Sequence, residues 1–222
     1  MLTDYQIGQY LQAQYDGTLI CDYQNRIGVV SVAVKRFLDF TLILNEGTFC
    51  LPDWASNFQA SMRDVPRIGR VEQGFYENVP ETVQALKPFL QPDKPLQIGG
   101  HSRGASHTNV MAAVFIDDGW DRAMIRRTAI APARCFDAAG VQFLKGCHGT
   151  AYRNCRDVFD QDFVTDVPLH FLGEPYEITD PWTTIDSPAK PDDPWLLFRR
   201  HHLSLYQPFL EGIHEQSVIC TQ

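Results

Sequence analysis

The sequence predicts an α/β fold in which a mostly parallel central sheet is flanked by helices. Three observations predict it. Short β-branched or apolar runs recur along the chain (Gly28–Val34, Thr41–Leu44, Leu96–Ile98, Thr128–Ala131 and Thr150–Cys155), with stretches of helical periodicity between them. The run at Leu96 ends in Gly100-His101-Ser102-Arg103-Gly104 and passes at once into a helix-like pattern. The length of 222 residues, 44% hydrophobic, suits one domain with a full core, taken here as residues 1–222.

Composition narrows the function classes. The net charge is −8 and no long basic run is present, which argues against nucleic acid as a partner. The same field repels anionic membranes but leaves a neutral or zwitterionic lipid substrate open. The N-terminal residues have neither a basic nor an apolar signal region, and no stretch approaches the roughly 18 consecutive apolar residues of a membrane span. A cytoplasmic protein without stable membrane insertion is therefore expected. Six cysteines lie scattered without metal-ligand spacing and are expected as free thiols. Oligomeric state has no signature in the sequence.

Taken in order, residues 3–15 carry Tyr5, Ile7, Tyr10, Leu11 and Tyr15 at three- and four-residue spacing. They predict an amphipathic helix capped by Thr3 or Asp4 and stopped at Asp16-Gly17. Gly28–Val34 and Thr41–Leu44 predict two strands paired as a hairpin at the sheet edge. Residues 49–70 form a long connection rich in turn residues, a candidate lid. Within it Trp54 and Phe58 stand four apart, either as an apolar face over a site and a substrate contact, or as a local packing pair. Val79, Val83, Leu86 and Leu90 predict a helix, and Ala105–Phe115 a second, buried one. His107 on that second helix is expected to be a satisfied packing neighbour. A short helix follows over Phe136–Leu144. Residues 180–195 are proline- and acid-rich and predict a rigid surface loop. A terminal helix begins near Leu203 and runs through Phe209 and Leu210.

The strand–Gly-x-Ser-x-Gly–helix pattern is the nucleophile elbow of the α/β-hydrolase fold. Gly100 and Gly104 lack a Cβ, so strand and helix can approach around the turn. Ser102 then stands at the strand end, and the N–H of Arg103 opens the helix where an oxyanion can be held. A second oxyanion donor is expected from the loop after an early strand, which makes Thr48 of Glu46-Gly47-Thr48 a candidate. An acid must fix the histidine tautomer, and the chain order in this fold is Ser, Asp, His. Asp162, in a cluster of acids between Asp157 and Asp166, is placed for that role. A histidine at the loop-to-helix boundary near the C-terminus, at His201-His202, suits the base.

Together these motifs resemble the class 3 lipase family of α/β-hydrolases over roughly residues 28–206. Leu42–Thr48 resembles the strand and turn whose last residue donates to the oxyanion. Asp53-Trp54 resembles the lid hinge, Gly74-Phe75-Tyr76 the Gly-Phe before the long helix, and Ala131-Pro132-Ala133-Arg134 the Gly-x-Pro-Arg segment. Asp162-Phe163-Val164 through Val167-Pro168 is similar to Asp-x-Val-x-x-Leu/Val-Pro, and His202-Leu203-Ser204-Leu205-Tyr206 to His-x-x-x-Tyr. The resemblance implies a triad of Ser102, Asp162 and His202, with His202 rather than His201 as base. It implies a serine carboxylic-ester hydrolase of lipase or esterase type, acting through an acyl-enzyme on a small or lipid ester and needing no cofactor and no metal. Transacylation or thioester hydrolysis on the same triad, and a non-catalytic interaction protein on the same fold, remain alternatives. Three departures stand out: Glu46 where the family usually has Arg, Glu72 where His is frequent, and Arg103 where Leu is common after the serine. With no large greasy lid evident, they favour a compact esterase.

Overall fold

The computed structural model describes residues 1–47, 61–157, 160–167, 176–187 and 200–219. Its frame is a single twisted sheet in the order β1-β2-β3-β6-β7-β8-β10, with the two-residue β9 (Asp160–Gln161) paired to β8. β2 (Val30–Arg36) pairs antiparallel with β1 (Tyr23–Ile27) on one side and with β3 (Thr41–Glu46) on the other. β3, β6 (Leu96–His101), β7 (Ile125–Ile130), β8 (His148–Asp157) and β10 (Trp182–Ile185) are parallel. The predicted hairpin of β2 and β3 is present, but β1 lies outside it as the edge strand. A separate hairpin, β4 (Met62–Val65) with β5 (Gly69–Glu72), forms the later part of the segment expected as a lid.

Alternation along the strands sorts the core into two faces. Val30, Val32, Val34 and Ile43 turn to one face, where α3 (Val79–Leu86) and α4 (Arg103–Asp117) cover them with Val83, Leu86, Val110 and Phe115. Ala33, Leu42 and Leu44 turn to the other, where α1 (Asp4–Tyr15) contributes Ile7 and Leu11, and α6 (Leu203–Ile219) contributes Tyr206 and Leu210. Each such aliphatic side chain, buried, contributes about 1.5–3 kcal/mol. Two short helices complete the α-helices among the described residues, α2 (Gln73–Tyr76) and α5 (Ala138–Phe143).

α1 is fixed at its start by chemistry as well as packing. Thr3 and Gln6 form a reciprocal capping box. The Asp4 carboxylate accepts from the hydroxyls of Thr128 (2.7 Å), Thr150 (3.0 Å) and Tyr152 (2.6 Å), which lie side by side on β7 and β8.

The loop expected over residues 180–195 is corrected at its start. Trp182-Thr183-Thr184-Ile185 is a strand parallel to β8, as an aromatic and β-branched run favours. Asp180 before it is locked by a bidentate ion pair to the buried Arg127 at 2.8 and 2.9 Å. Cys21, Cys135, Cys147 and Cys155 carry free thiols. Among the described residues no helix is long and apolar enough to cross a membrane.

Candidate active site

The elbow sits where β6 turns into α4. Ser102 has φ 58° and ψ −131°, a conformation an L-residue adopts only under constraint. Its N–H is held by the Ile130 carbonyl at 2.9 Å. The two elbow glycines carry the constraint: a Cβ on Gly100 would strike the Gly104 carbonyl, and a Cβ on Gly104 would strike the Asn45 carbonyl. The Ser102 carbonyl takes the N–H groups of Ala105 and Ser106, whereas the Arg103 N–H at the first position of α4 has no preceding helical carbonyl and is available beside the serine.

Gly47 brings the end of β3 against the elbow. A Cβ there would lie 2.7 Å from the His101 carbonyl and 3.1 Å from Ser102 Cβ. Thr48, the expected second oxyanion donor, follows directly but lies outside the described residues, as do Trp54 and Phe58.

Asp162 lies at the end of the β8–β9 ribbon, fully buried. Its backbone N–H donates to the Asn154 carbonyl at 2.7 Å. Its carboxylate accepts from the Val164 N–H at 3.1 Å and from the Tyr206 hydroxyl at 2.6 Å. Burial and the facing carboxylate both push the Tyr206 phenol pKa well up, so it stays a donor. The histidine that meets this carboxylate is His201. Its Nδ1 stands 2.9 Å from both Asp162 oxygens.

The expected pairing of Asp162 with His202 is thereby corrected. His201 precedes the start of α6 and turns inward, 2% exposed, whereas His202 is only partly buried. Neighbouring residues at a loop-to-helix junction point in different directions, and only one can reach the buried carboxylate.

A second chain of hydrogen bonds lies under the serine, and the sequence reading missed it. His101 stacks on His201, ring centroids 5.0 Å apart, and its Nε2 lies 2.8 Å from the His201 carbonyl. A carbonyl only accepts, so Nε2 carries the proton and Nδ1 accepts from the Tyr15 hydroxyl at 3.0 Å. The same hydroxyl accepts from the Gly47 N–H at 3.0 Å. Burial first, and His201 second, hold the His101 pKa well below its usual value, so the ring stays neutral. Burial raises the Tyr15 phenol. A helix-end tyrosine 86 residues from His101 gives no local pattern to find it by.

His107 on α4 is buried as expected but not satisfied. Neither ring nitrogen has a hydrogen-bond partner among the described residues, and the ring packs edge-on to Phe75. Burial, then the charge of Arg103, lowers its pKa to about 3.

A strained serine between a parallel strand and a buried helix, with a buried Asp–His pair downstream in chain order, defines an α/β-hydrolase. The family model described as Lipase (class 3) matches residues 42–172, more than half of the chain. The chain belongs to the class 3 lipase family and is, with it, a serine ester hydrolase. Solved structures carry the same fold. The N225Q mutant of MDLA from Penicillium cyclopium superimposes with a TM-score of 0.59 at 19% identity, over 84% of this chain and 78% of that one. The Rhizomucor miehei triacylglyceride lipase gives 0.59 at 16% identity, over 76% and 74%. A triacylglycerol lipase from Penicillium expansum gives 0.61 at 15%, over 89% and 80%. No curated protein matches the chain.

Proposed function

We propose that Ser102, His201 and Asp162 hydrolyse a carboxylic ester through an acyl-enzyme. The observation that carries this reading is the 2.9 Å contact between His201 Nδ1 and the buried Asp162, with the His201 ring stacked on the residue that precedes Ser102. His201 takes the proton from Ser102 as the hydroxyl attacks the carbonyl carbon, and later gives it to the leaving alcohol. Asp162 fixes the tautomer that leaves Nε2 to do this and stabilises the imidazolium that forms. The N–H groups of Arg103 and Thr48 bind the oxyanion; losing one such donor typically costs about 2.7–4 kcal/mol of transition-state stabilisation. Water then releases the acid by the reverse sequence. The chemistry needs no metal or organic cofactor.

The substrate in this reading is a small or lipid ester. Family membership supports the lipid, as does the shared fold of the Rhizomucor miehei triacylglyceride lipase and the Penicillium expansum triacylglycerol lipase.

The test is hydrolysis of p-nitrophenyl esters from acetate to palmitate by the wild type and by Ser102→Ala. Turnover in the wild type, with loss in the variant at unchanged circular dichroism, is expected. Undiminished turnover in Ser102→Ala overturns the assignment. A fluorophosphonate probe should label Ser102 and no other residue.

A further inference from the structure

The side chain of Arg103 is not accounted for by ester hydrolysis, which uses only its backbone N–H. It leaves the first turn of α4 beside the nucleophile and leans, half-buried, over α2. There its Nη2 meets the Gly74 carbonyl at 3.5 Å, a weak contact, and its Nε is buried without a hydrogen-bond partner. It forms no ion pair with a described residue. Two acids exert a field on it, Glu72 and Glu77, while Arg26 of β1 opposes them.

Glu72 is an incomplete counter-ion. It is 1% exposed, and its Oε2 is engaged in capping the Phe75 N–H at 2.7 Å. Its Oε1 is buried and has no hydrogen-bond partner. Burial raises its pKa, against the opposing pull of the Phe75 and Gly74 N–H groups and of Arg103. One turn along α4 from Arg103, His107 is also buried and unpartnered. Unmet hydrogen-bonding capacity thus recurs on Arg103 and His107 of α4 and on Glu72 at the start of α2, and of these Arg103 adjoins Ser102. Each buried polar group left unpaired costs about 1–3 kcal/mol. A half-buried guanidinium held by one weak contact can take a planar or tetrahedral oxyanion through charge-assisted hydrogen bonds at its exposed edge.

We propose that Arg103 makes the site selective for esters that carry a second, anionic group, a carboxylate or a phosphate, a few bonds from the reacting carbonyl. The inference rests on the reading of Ser102 as nucleophile. It is a statement about specificity, and the anion itself undergoes no chemistry.

The experiment compares esters matched in acyl length within each variant. The carboxylate arm pairs the mono-p-nitrophenyl ester of glutaric acid with p-nitrophenyl pentanoate. The phosphate arm pairs dihexanoyl phosphatidic acid with dihexanoylglycerol. The expected result is a kcat/KM ratio favouring the anionic member by about tenfold in at least one arm, carried by KM and reduced by 0.5 M salt. In Arg103→Leu and Arg103→Gln that ratio falls to about one, and Arg103→Lys keeps part of it. Because the ratio is taken within each protein, a change in overall rate does not enter. Should the leucine variant fail to fold, the glutamine and lysine variants give the comparison. A wild type that prefers the neutral ester in both arms, or a ratio unmoved by all three substitutions, overturns the proposal and leaves the serine-hydrolase reading standing. Hydrolysis of none of the four esters by the wild type overturns both.

Discussion

The Asn154 carboxamide oxygen accepts a hydrogen bond from Arg200 at 3.1 Å, which ties the end of β8 to the residue immediately before His201. Asn154 also holds the acid. Its carbonyl takes the Asp162 N–H at 2.7 Å, and its N–H donates to the Tyr206 hydroxyl at 3.0 Å, which in turn donates to Asp162. One residue thus touches the acid segment, the base segment and the tyrosine that joins them.

Arg200 is therefore a positioning residue for His201. It is 3% exposed and also donates to Asp186 at 3.2 Å and to the Ser187 carbonyl. Arg200→Ala should lower kcat by about 10- to 100-fold with little change in KM, since an ångström of misplacement costs that much. The pH profile of kcat should shift as the His201–Asp162 contact loosens, and Arg200→Lys should restore part of the rate. A variant that loses thermal stability but keeps both kcat and the pH profile would reduce Arg200 to a structural role.

The two adjacent histidines give a sharp comparison. His201→Ala should lower kcat for a p-nitrophenyl ester by about 10²- to 10⁴-fold, the range for a general base. His202→Ala should stay within a few-fold of wild type. Steady-state kinetics on the two variants decides the assignment, and the reverse ranking would return the base to His202.

What the sequence made legible follows from where each signal is stored. The elbow, α4 and the parallel strands write themselves locally, in apolar runs and paired glycines, and Asp162 follows from chain order. β1 is not legible, because Tyr23-Gln24-Asn25-Arg26-Ile27 is a largely exposed edge strand with no buried face to impose alternation. β10 is hidden among prolines and acids that dominate the composition of its neighbourhood. The choice of His201 over His202 is a matter of one residue of direction at a helix start, and the His-x-x-x-Tyr spacing counted back from Tyr206 points to the other histidine. Tyr15 is a partner across tertiary space, and nothing near it in the chain marks it.

Acid should act on the fold through His107. Its folded pKa is about 3, below the ordinary histidine value of 6.5. The unfolded chain therefore binds the extra proton first as pH falls. The contribution of neutral His107 is complete above pH 6.5 and is lost progressively toward pH 3, at no more than about 1.4 kcal/mol per pH unit. Urea midpoints measured between pH 7 and 4 should fall for the wild type. For His107→Leu, which fills the contact with Phe75 without a titrating ring, the fall should be shallower. Parallel curves would exclude the ring as the origin.

The elbow should show its strain as stability. Ser102→Gly removes the Cβ that makes φ 58° costly, a relief of about 1–3 kcal/mol, against the added freedom of the unfolded chain of about 0.4–1 kcal/mol. The net expectation is an inactive protein more stable by about 1 kcal/mol, read as a rise of about 2–4 °C in Tm. An unchanged or lower Tm would mean the turn holds no excess energy.

The span recognised by the family model, residues 42–172, contains Ser102 and Asp162 but neither Tyr15 nor His201 nor Tyr206. Those three come from the two ends of the chain, brought together where α1 and α6 lie side by side on one face of the sheet. On the proposed triad the recognisable middle supplies the nucleophile and the acid, and the less recognisable ends supply the base. Drift in the termini of such a chain would silence the enzyme while leaving its family signature intact, so membership and activity can part company at the ends.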